Sequence, residues 1–250
     1  MAVPIRGARP MRWVGSHVAE GLLAALLTVA ATSAVAAGGV IAIDVGHYRE
    51  APGVTSAHGR PEFEFNRDLA SEIEAQLQAR GRSTQVIGAA GEMNSLPARP
   101  RAAAGAALLV SVHHDSMQAR LLSSWTYEGV ERRYGDRFAG FSLFVSRENP
   151  GWRRGLRCAS AIGAALIHAG FTPSLYHADR KVGENRAFAD KRNGVHYFDR
   201  LAVLRNASMP ALLFEAGVIV NREEEKRLAD PAVRGRIAAA VVNGIEECMP

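Results

Sequence analysis

Apolar and polar positions follow two rhythms along this chain. Short aliphatic and β-branched runs occur at 40–44, 83–87, 107–112, 141–146, 201–204 and 211–214. Between them lie longer segments with a helical period. Residues 63–80 place Phe65, Leu69, Ile73 and Leu77 four apart and close on Gly81, the pattern of an amphipathic helix and its stop. Residues 98–106 are alanine-rich, 155–169 run up to Gly170, and 222–228 and 232–247 complete the helical segments. Strands separated by helices predict a single α/β domain: a mostly parallel twisted sheet with helices on both faces. In such sheets, sites form beyond the carboxyl ends of the strands.

Two segments have no clear period. Residues 117–140 are long for a loop in a compact domain. Residues 173–199 are polar and carry Tyr176, His177, Arg180, Lys181, Glu184, Asn185 and Arg192. Long irregular connections in compact domains are commonly functional. Both pass the expected strand ends and could wall a substrate cleft.

The N-terminus reads differently. Arg6, Arg9 and Arg12 precede an apolar run over 21–31, and Ala34-Val35-Ala36 offers an A-x-A cleavage site. This is the layout of a secretory signal peptide, with an apolar run short for a membrane span. An uncleaved N-terminal anchor is the alternative. Cleavage after Ala36 is expected to leave 37–250 as the folded domain, with no stable membrane span. Loss of Arg6, Arg9, Arg12 and Glu20 takes the formal charge from +5 to +3. So modest an excess, with no basic tract interleaved with aromatics, argues against a nucleic-acid partner. It suits an anionic polymer such as a cell-wall glycan. Cys158 and Cys248 could pair in an oxidising compartment or stay as two buried thiols.

Candidate chemistry gathers at the strand ends. His47 follows the first run, Glu62 opens the first long helix, and His113 ends the third run. Two histidines and a carboxylate can hold Zn²⁺ with a position left open for water. Glu215, at the end of ALLFE, could serve as the base that activates that water. Glu64 competes with Glu62, and His114 with His113. A strand would point His113 and His114 to opposite sides.

The segments around these residues resemble the N-acetylmuramoyl-L-alanine amidases of the Amidase_3 type. Asp44-Val45-Gly46-His47 is similar to the family's D-x-G-H, and Glu62, Asn66 and Ala70 fit its E-x-x-x-N-x-x-x-A helix opening. Ser111, His113 and Asp115 fit S-x-H-x-[ND]. Pro210, Ala211, Leu213, Glu215, Gly217 and Asn221 fit the segment that carries the catalytic glutamate. Leu96 and Arg99 resemble its L-x-x-R helix, and 201–205 its V-L-R strand. Val45, Tyr48 and Arg49 depart from its proline- and glycine-rich loop.

The resemblance implies Zn²⁺ on His47, Glu62 and His113 with Glu215 as proton carrier. It also implies peptidoglycan as substrate, cut between N-acetylmuramic acid and L-alanine, and a periplasmic location. The Ser111 and Asn66 spacings favour His113 and Glu62 over their neighbours. Asp44 is expected to orient the His47 loop or to cap its strand. In some relatives an inserted helix near 117–140 blocks the site until an activator protein displaces it. Leu121, Leu122, Trp125 and Tyr127 could pack over the cleft in that way, although Gly129, Gly135 and Gly140 argue against one long helix. Two other readings stay open: a zinc amidohydrolase or carboxypeptidase with another substrate, and a non-catalytic cell-wall binding module. Glu215 speaks against the last, because a binder has no need of it.

Overall fold

The structure is a computed structural model that describes Met1 and residues 39–249. The expected signal peptide lies outside the described residues. The ladder begins with β1 (Ile41–Val45), β2 (Thr84–Ile87), β3 (Leu108–Asp115) and β9 (Ala211–Val218), all parallel. β6 (Ser142–Val145) runs antiparallel to β9, and β8 (Val195–Tyr197) and β7 (Phe188–Asp190) extend that edge. The order is β2-β1-β3-β9-β6-β8-β7. Central strands buried on both faces need near-continuous apolar runs, which 41–45, 108–112 and 211–214 supply apart from Asp44 and Ser111.

The two faces are covered unequally. Three long helices, α1 (Glu62–Ala79), α3 (Trp152–His168) and α6 (Pro231–Cys248), pack on one face. The stripe Phe65, Leu69, Ile73 and Leu77 of α1 is wholly buried there against Ile41, Ile43 and Val110. Among the described residues, the other face carries only the short helices α2 (Ala98–Ala102) and α4 (Ala202–Arg205), over Ala42, Leu109 and Leu213. α5 (Arg222–Ala229) follows β9 directly. Its entry is fixed by Asn221, whose side chain accepts hydrogen bonds from the amides of Glu223 and Glu224 at 3.1 and 3.0 Å, an N-cap.

Several expectations are corrected. Residues 201–205 resemble a strand in sequence but form the helical turn α4. The Asn149 amide donates to the carbonyls of Leu204, Ala207 and Met209 at 2.9, 2.9 and 3.0 Å, so these groups need no strand partner. The helix expected over 98–106 ends at Ala102, and Gly105 turns the chain at φ +87°. The segment 117–140, for which a substrate-binding or elaborated loop is the favoured expectation over a blocking helix, holds no such helix. It forms an antiparallel hairpin, β4 (Ser123–Tyr127) and β5 (Val130–Tyr134), turned at Glu128 and Gly129 in left-handed conformation. Trp125 donates to the Ala57 carbonyl at 3.1 Å, and Trp125 and Tyr127 both meet the His58 ring edge-on. Leu121 and Leu122 pack beside Met117, Tyr176 and Val220. The segment is therefore an elaborated loop.

Cys158 and Cys248 are disulfide-bonded, with Cα atoms 5.1 Å apart, which ties α3 to the end of α6. Among the described residues no helix is long and apolar enough to cross a membrane. The bridge closes a loop across a separation of 90 residues, so its loss is expected to cost about 2–4 kcal/mol. Urea unfolding of Cys248→Ser beside the oxidised parent would show this as a lower midpoint, and a reducing agent should bring the parent to the same value.

Candidate functional site

A fully buried ion pair underlies the site. Asp44 on β1 has no solvent exposure, and Arg99 from α2 has 2%. Arg99 Nη1 donates to Asp44 Oδ1 at 2.6 Å, and Ser111 Oγ donates to Asp44 Oδ2 at 2.6 Å. The same guanidinium donates to the carbonyls of Val45 (2.5 Å), Met93 (2.9 Å) and His47. Buried charge survives only when paired and hydrogen-bonded. Here that requirement fixes the course of the chain just past β1. His47 itself is held at φ +67°, a left-handed backbone that a non-glycine residue adopts at a cost. The Asn66 amide donates to the Gly46 carbonyl at 3.2 Å, securing the turn from the other side. Asp44 therefore orients the His47 loop.

Three side chains then converge. His47 Nε2 lies 3.0 Å from Glu62 Oε2, and His113 Nδ1 lies 3.1 Å from Glu62 Oε1. The two imidazole rings meet edge to face at 5.0 Å. Burial alone would raise the Glu62 pKa, but the hydrogen bonds and charges of His113 and His47 outweigh it and hold the carboxyl well below its usual range. Its place at the start of α1 also favours the anion. The Val54 amide donates to Oε2 at 3.3 Å, and Asn66 donates to Oε1 at 3.2 Å.

These residues fit a metal ion. One ligand atom from each of His47, Glu62 and His113 lies within 4.8 Å of the others. Tetrahedral zinc at about 2.0–2.1 Å from its ligands spaces neighbouring ligand atoms about 3.3 Å apart, close to the two histidine–carboxylate distances. Space is also reserved around them. A Cβ on Gly46 would lie 2.3 Å from the His113 ring, and one on Gly53 would lie 2.3 Å from Glu62 Oε2. Side-chain exposure of 33% at His47 against 5% at Glu62 opens the cluster on the His47 side.

Glu215 is set beside this cluster by sheet register. It pairs directly with His113 across β3 and β9, so both side chains leave the same face. Its Oε2 is inaccessible and accepts no hydrogen bond. Burial, followed by the negative charges of Asp115, Glu62 and Glu184, pushes its proton affinity well above the carboxylate range. A cavity of 140 Å³ adjoins it, lined by Asp115, His177, Glu184 and an apolar wall.

His177 Nε2 lies 2.6 Å from Asp115 Oδ2, and Nδ1 lies 3.1 Å from Glu184 Oε2. Burial opposes a charge on His177, but the two carboxylates prevail and raise it to about 9. The Glu184 carboxyl falls to about 2, first through its hydrogen bond to His177.

Comparison with known proteins gives the family. Residues 41–247 match the Amidase_3 family model, described as N-acetylmuramoyl-L-alanine amidase. The chain belongs to this amidase family. No curated protein matches it. Among solved structures, the N-acetylmuramyl-L-alanine amidase of Mycobacterium smegmatis aligns with TM-score 0.68 at 20% identity, over 85% of this chain and 97% of that one. The catalytic domain of an N-acetylmuramoyl-L-alanine amidase from Bacillus (Paenibacillus) polymyxa gives 0.63 at 22%, over 84% and 97%. The CwlD amidase of Clostridioides difficile, in complex with the GerS lipoprotein, gives 0.59 at 17%, over 84% and 98%.

Within this amidase fold the neighbouring candidates separate cleanly. Glu64 pairs outward with Arg60 at 3.1 Å, away from the histidines. His114 is buried against Phe65 and lies 2.8 Å from Asn66 Oδ1, and burial lowers it to about 3. His58 pairs with Glu225 at 2.6 Å, and His168 is exposed at the end of α3. His196 does not line the cavity. It is buried between Phe144 and Phe188. His177 and Glu184 gave only a weak signal in sequence, since neither lies in a spaced motif. Their polar, aperiodic surroundings were the single pointer.

Two outcomes are expected. Arg99→Met removes one partner of a buried pair and should cost about 3–5 kcal/mol by urea unfolding, with weaker metal uptake in whatever remains folded. The second concerns pH. The folded value of His177, about 9, lies above the ordinary 6.5, so its ion pairs stabilise fully below pH 6.5 and fade as pH rises through about 9. Thermal melts of the parent and His177→Asn should differ by on the order of 2 kcal/mol at pH 6 and converge by pH 10.

Proposed function

We propose that this protein is a zinc-dependent N-acetylmuramoyl-L-alanine amidase. It would hydrolyse the amide between the lactyl group of N-acetylmuramic acid and the L-alanine of the stem peptide. The observation that carries this reading is the juxtaposition of a His47–Glu62–His113 ligand set with Glu215 in register beside it. A metal-binding module without activity would need the first three residues only. A fourth carboxyl, one oxygen of which has no hydrogen-bond partner among the described residues, suits a group that must gain and release a proton.

Zinc bound by His47, Glu62 and His113 would supply a Lewis acid that polarises the carbonyl and acidifies water towards ~7. The remaining chemistry falls to the protein. Glu215 takes the proton of the attacking water as its oxygen bonds to the carbonyl carbon. It then delivers that proton to the amide nitrogen as the C–N bond breaks. Glu62, kept ionised by both histidines, cannot take this role.

The wider setting is part of the proposal. The N-terminal pattern over 1–36 supports export, and with it a periplasmic enzyme acting on the wall during remodelling or separation of daughter cells. The complex of the Clostridioides difficile relative with a lipoprotein makes a protein partner reasonable here too. Such a partner would have to act other than by removing a blocking helix from 117–140, since that segment folds as a hairpin.

Glu215→Gln should keep its metal and lose about 10²–10⁴ in turnover on purified sacculi, while His113→Ala should lose the metal itself. Metal analysis of both purified variants, with mass spectrometry of released peptides, checks the pair. Zinc loss from a folded Glu215→Gln protein would make that residue a ligand and refute the assignment of roles.

A further inference from the structure

Sheet register gives Glu215 a neighbour on each side. His113 pairs with it from β3, and Ser142 pairs with it from the antiparallel strand β6. Residues directly opposite in a sheet project to the same face, with Cβ atoms about 4.5–5.5 Å apart in an antiparallel pair. His113 faces the metal site, and Ser142 closes the other side.

Ser142 has no solvent exposure, and its Oγ has no hydrogen-bond partner among the described residues. Glu215 Oε2 is likewise inaccessible and without a partner. A buried polar atom left unpaired carries its full desolvation penalty, and each such atom in a fold calls for an explanation. Alanine would fill the Ser142 position without that penalty, and the rest of β6, Leu143, Phe144 and Val145, is apolar. The residues diagonal to Ser142 on β9 are Leu213 and Gly217, neither with a side-chain acceptor. A hydroxyl donor and a carboxyl oxygen, both orphaned, thus face each other at one register position. Staggered rotations of Ser142 and of the longer Glu215 side chain are enough to close a gap of this size.

We propose that Ser142 is a positioning residue for Glu215: its hydroxyl donates to one carboxyl oxygen and leaves the other facing the reacting atoms. The inference rests on the amidase reading, in which Glu215 carries a proton from the attacking water to the departing nitrogen. Ser142 moves no proton in that cycle. It fixes the rotamer of a long, flexible side chain, and a misplacement of about 1 Å in such a group can cost on the order of a hundredfold in rate.

Kinetics and stability test this separately. With soluble muropeptides and the zinc-loaded protein, Ser142→Ala should lower kcat about tenfold to a hundredfold. KM should stay within about twofold, because the contact is felt in the transition state rather than in substrate binding. The stability arm uses metal-free protein and needs no turnover. Urea unfolding is followed for the parent, Ser142→Ala, Glu215→Leu and the double variant, leucine offering no acceptor. Ser142→Ala should lower the midpoint in the parent. In the Glu215→Leu background it should raise the midpoint or leave it in place, since the hydroxyl there has nothing to meet.

An unchanged kcat in folded Ser142→Ala, or the same midpoint shift in both backgrounds, would overturn the proposal even if sacculi are digested normally. A parent protein that releases no stem peptide would instead sink the amidase reading, and the urea cycle would still decide whether Ser142 holds Glu215.

Discussion

The pairing of Asp44 with Arg99 is the constraint from which the rest of the site follows. Two full charges sit where no water reaches, so every remaining donor and acceptor on them must be met. Asp44 meets the Ser111 hydroxyl on β3, and Arg99 meets the carbonyls of Val45, His47 and Met93. The pair thereby joins two strands, the chain at His47 and Met93, and a short helix on the thinly covered face of the sheet. Apolar residues of similar volume could be as stable there. They could not hold the His47 backbone in a left-handed conformation.

A gradient of proton affinity spans a few residues of strand end. Glu62, between two imidazoles, gives up its proton readily. Burial, with neighbouring carboxylates, raises the proton affinity of Glu215. Pairs of carboxyl groups driven apart by their surroundings mark acid–base sites, and here the difference comes from what each side chain faces. His177 stands between Asp115 and Glu184 as the cation that lets so many carboxyls share one edge of the sheet.

Much of this was legible in the chain, for uneven reasons. The buried central strands are nearly continuous aliphatic runs, and α1 carries a four-residue stripe, so periodicity found them. His47, Glu62, His113 and Glu215 fall at ends of those elements, where an α/β sheet places its sites, and the structure brings them together. Residues 201–205 misled because four apolar residues serve a strand and a helical turn equally well. The deciding contacts come from Asn149, some fifty residues earlier. β7 and β8 are three residues each, too short for any period. His177 depends on carboxylates at 115 and 184, a meeting that only the folded chain displays. The cysteines could be read as bonded or free, and their distance in the fold settled the matter.

The strand that carries Glu215 raises a question of alignment. Where a strand has one wet face, a slip by one residue would bury polar groups, and alternation alone forbids it. β9 is apolar on both sides from Ala211 to Phe214, so burial barely distinguishes one alignment from the next. A slip would nevertheless swing Glu215 through the sheet, away from His113. Alignment is instead pinned at the two ends. The Leu109 amide donates to the Pro210 carbonyl at 2.9 Å, the Ile219 amide donates to the Asp115 carbonyl at 3.0 Å, and Glu224 captures the Val218 amide at 2.9 Å. The strand behaves like a ruler clamped at both ends and unmarked between. A length change of a single residue within 211–214 would take Glu215 out of register with His113.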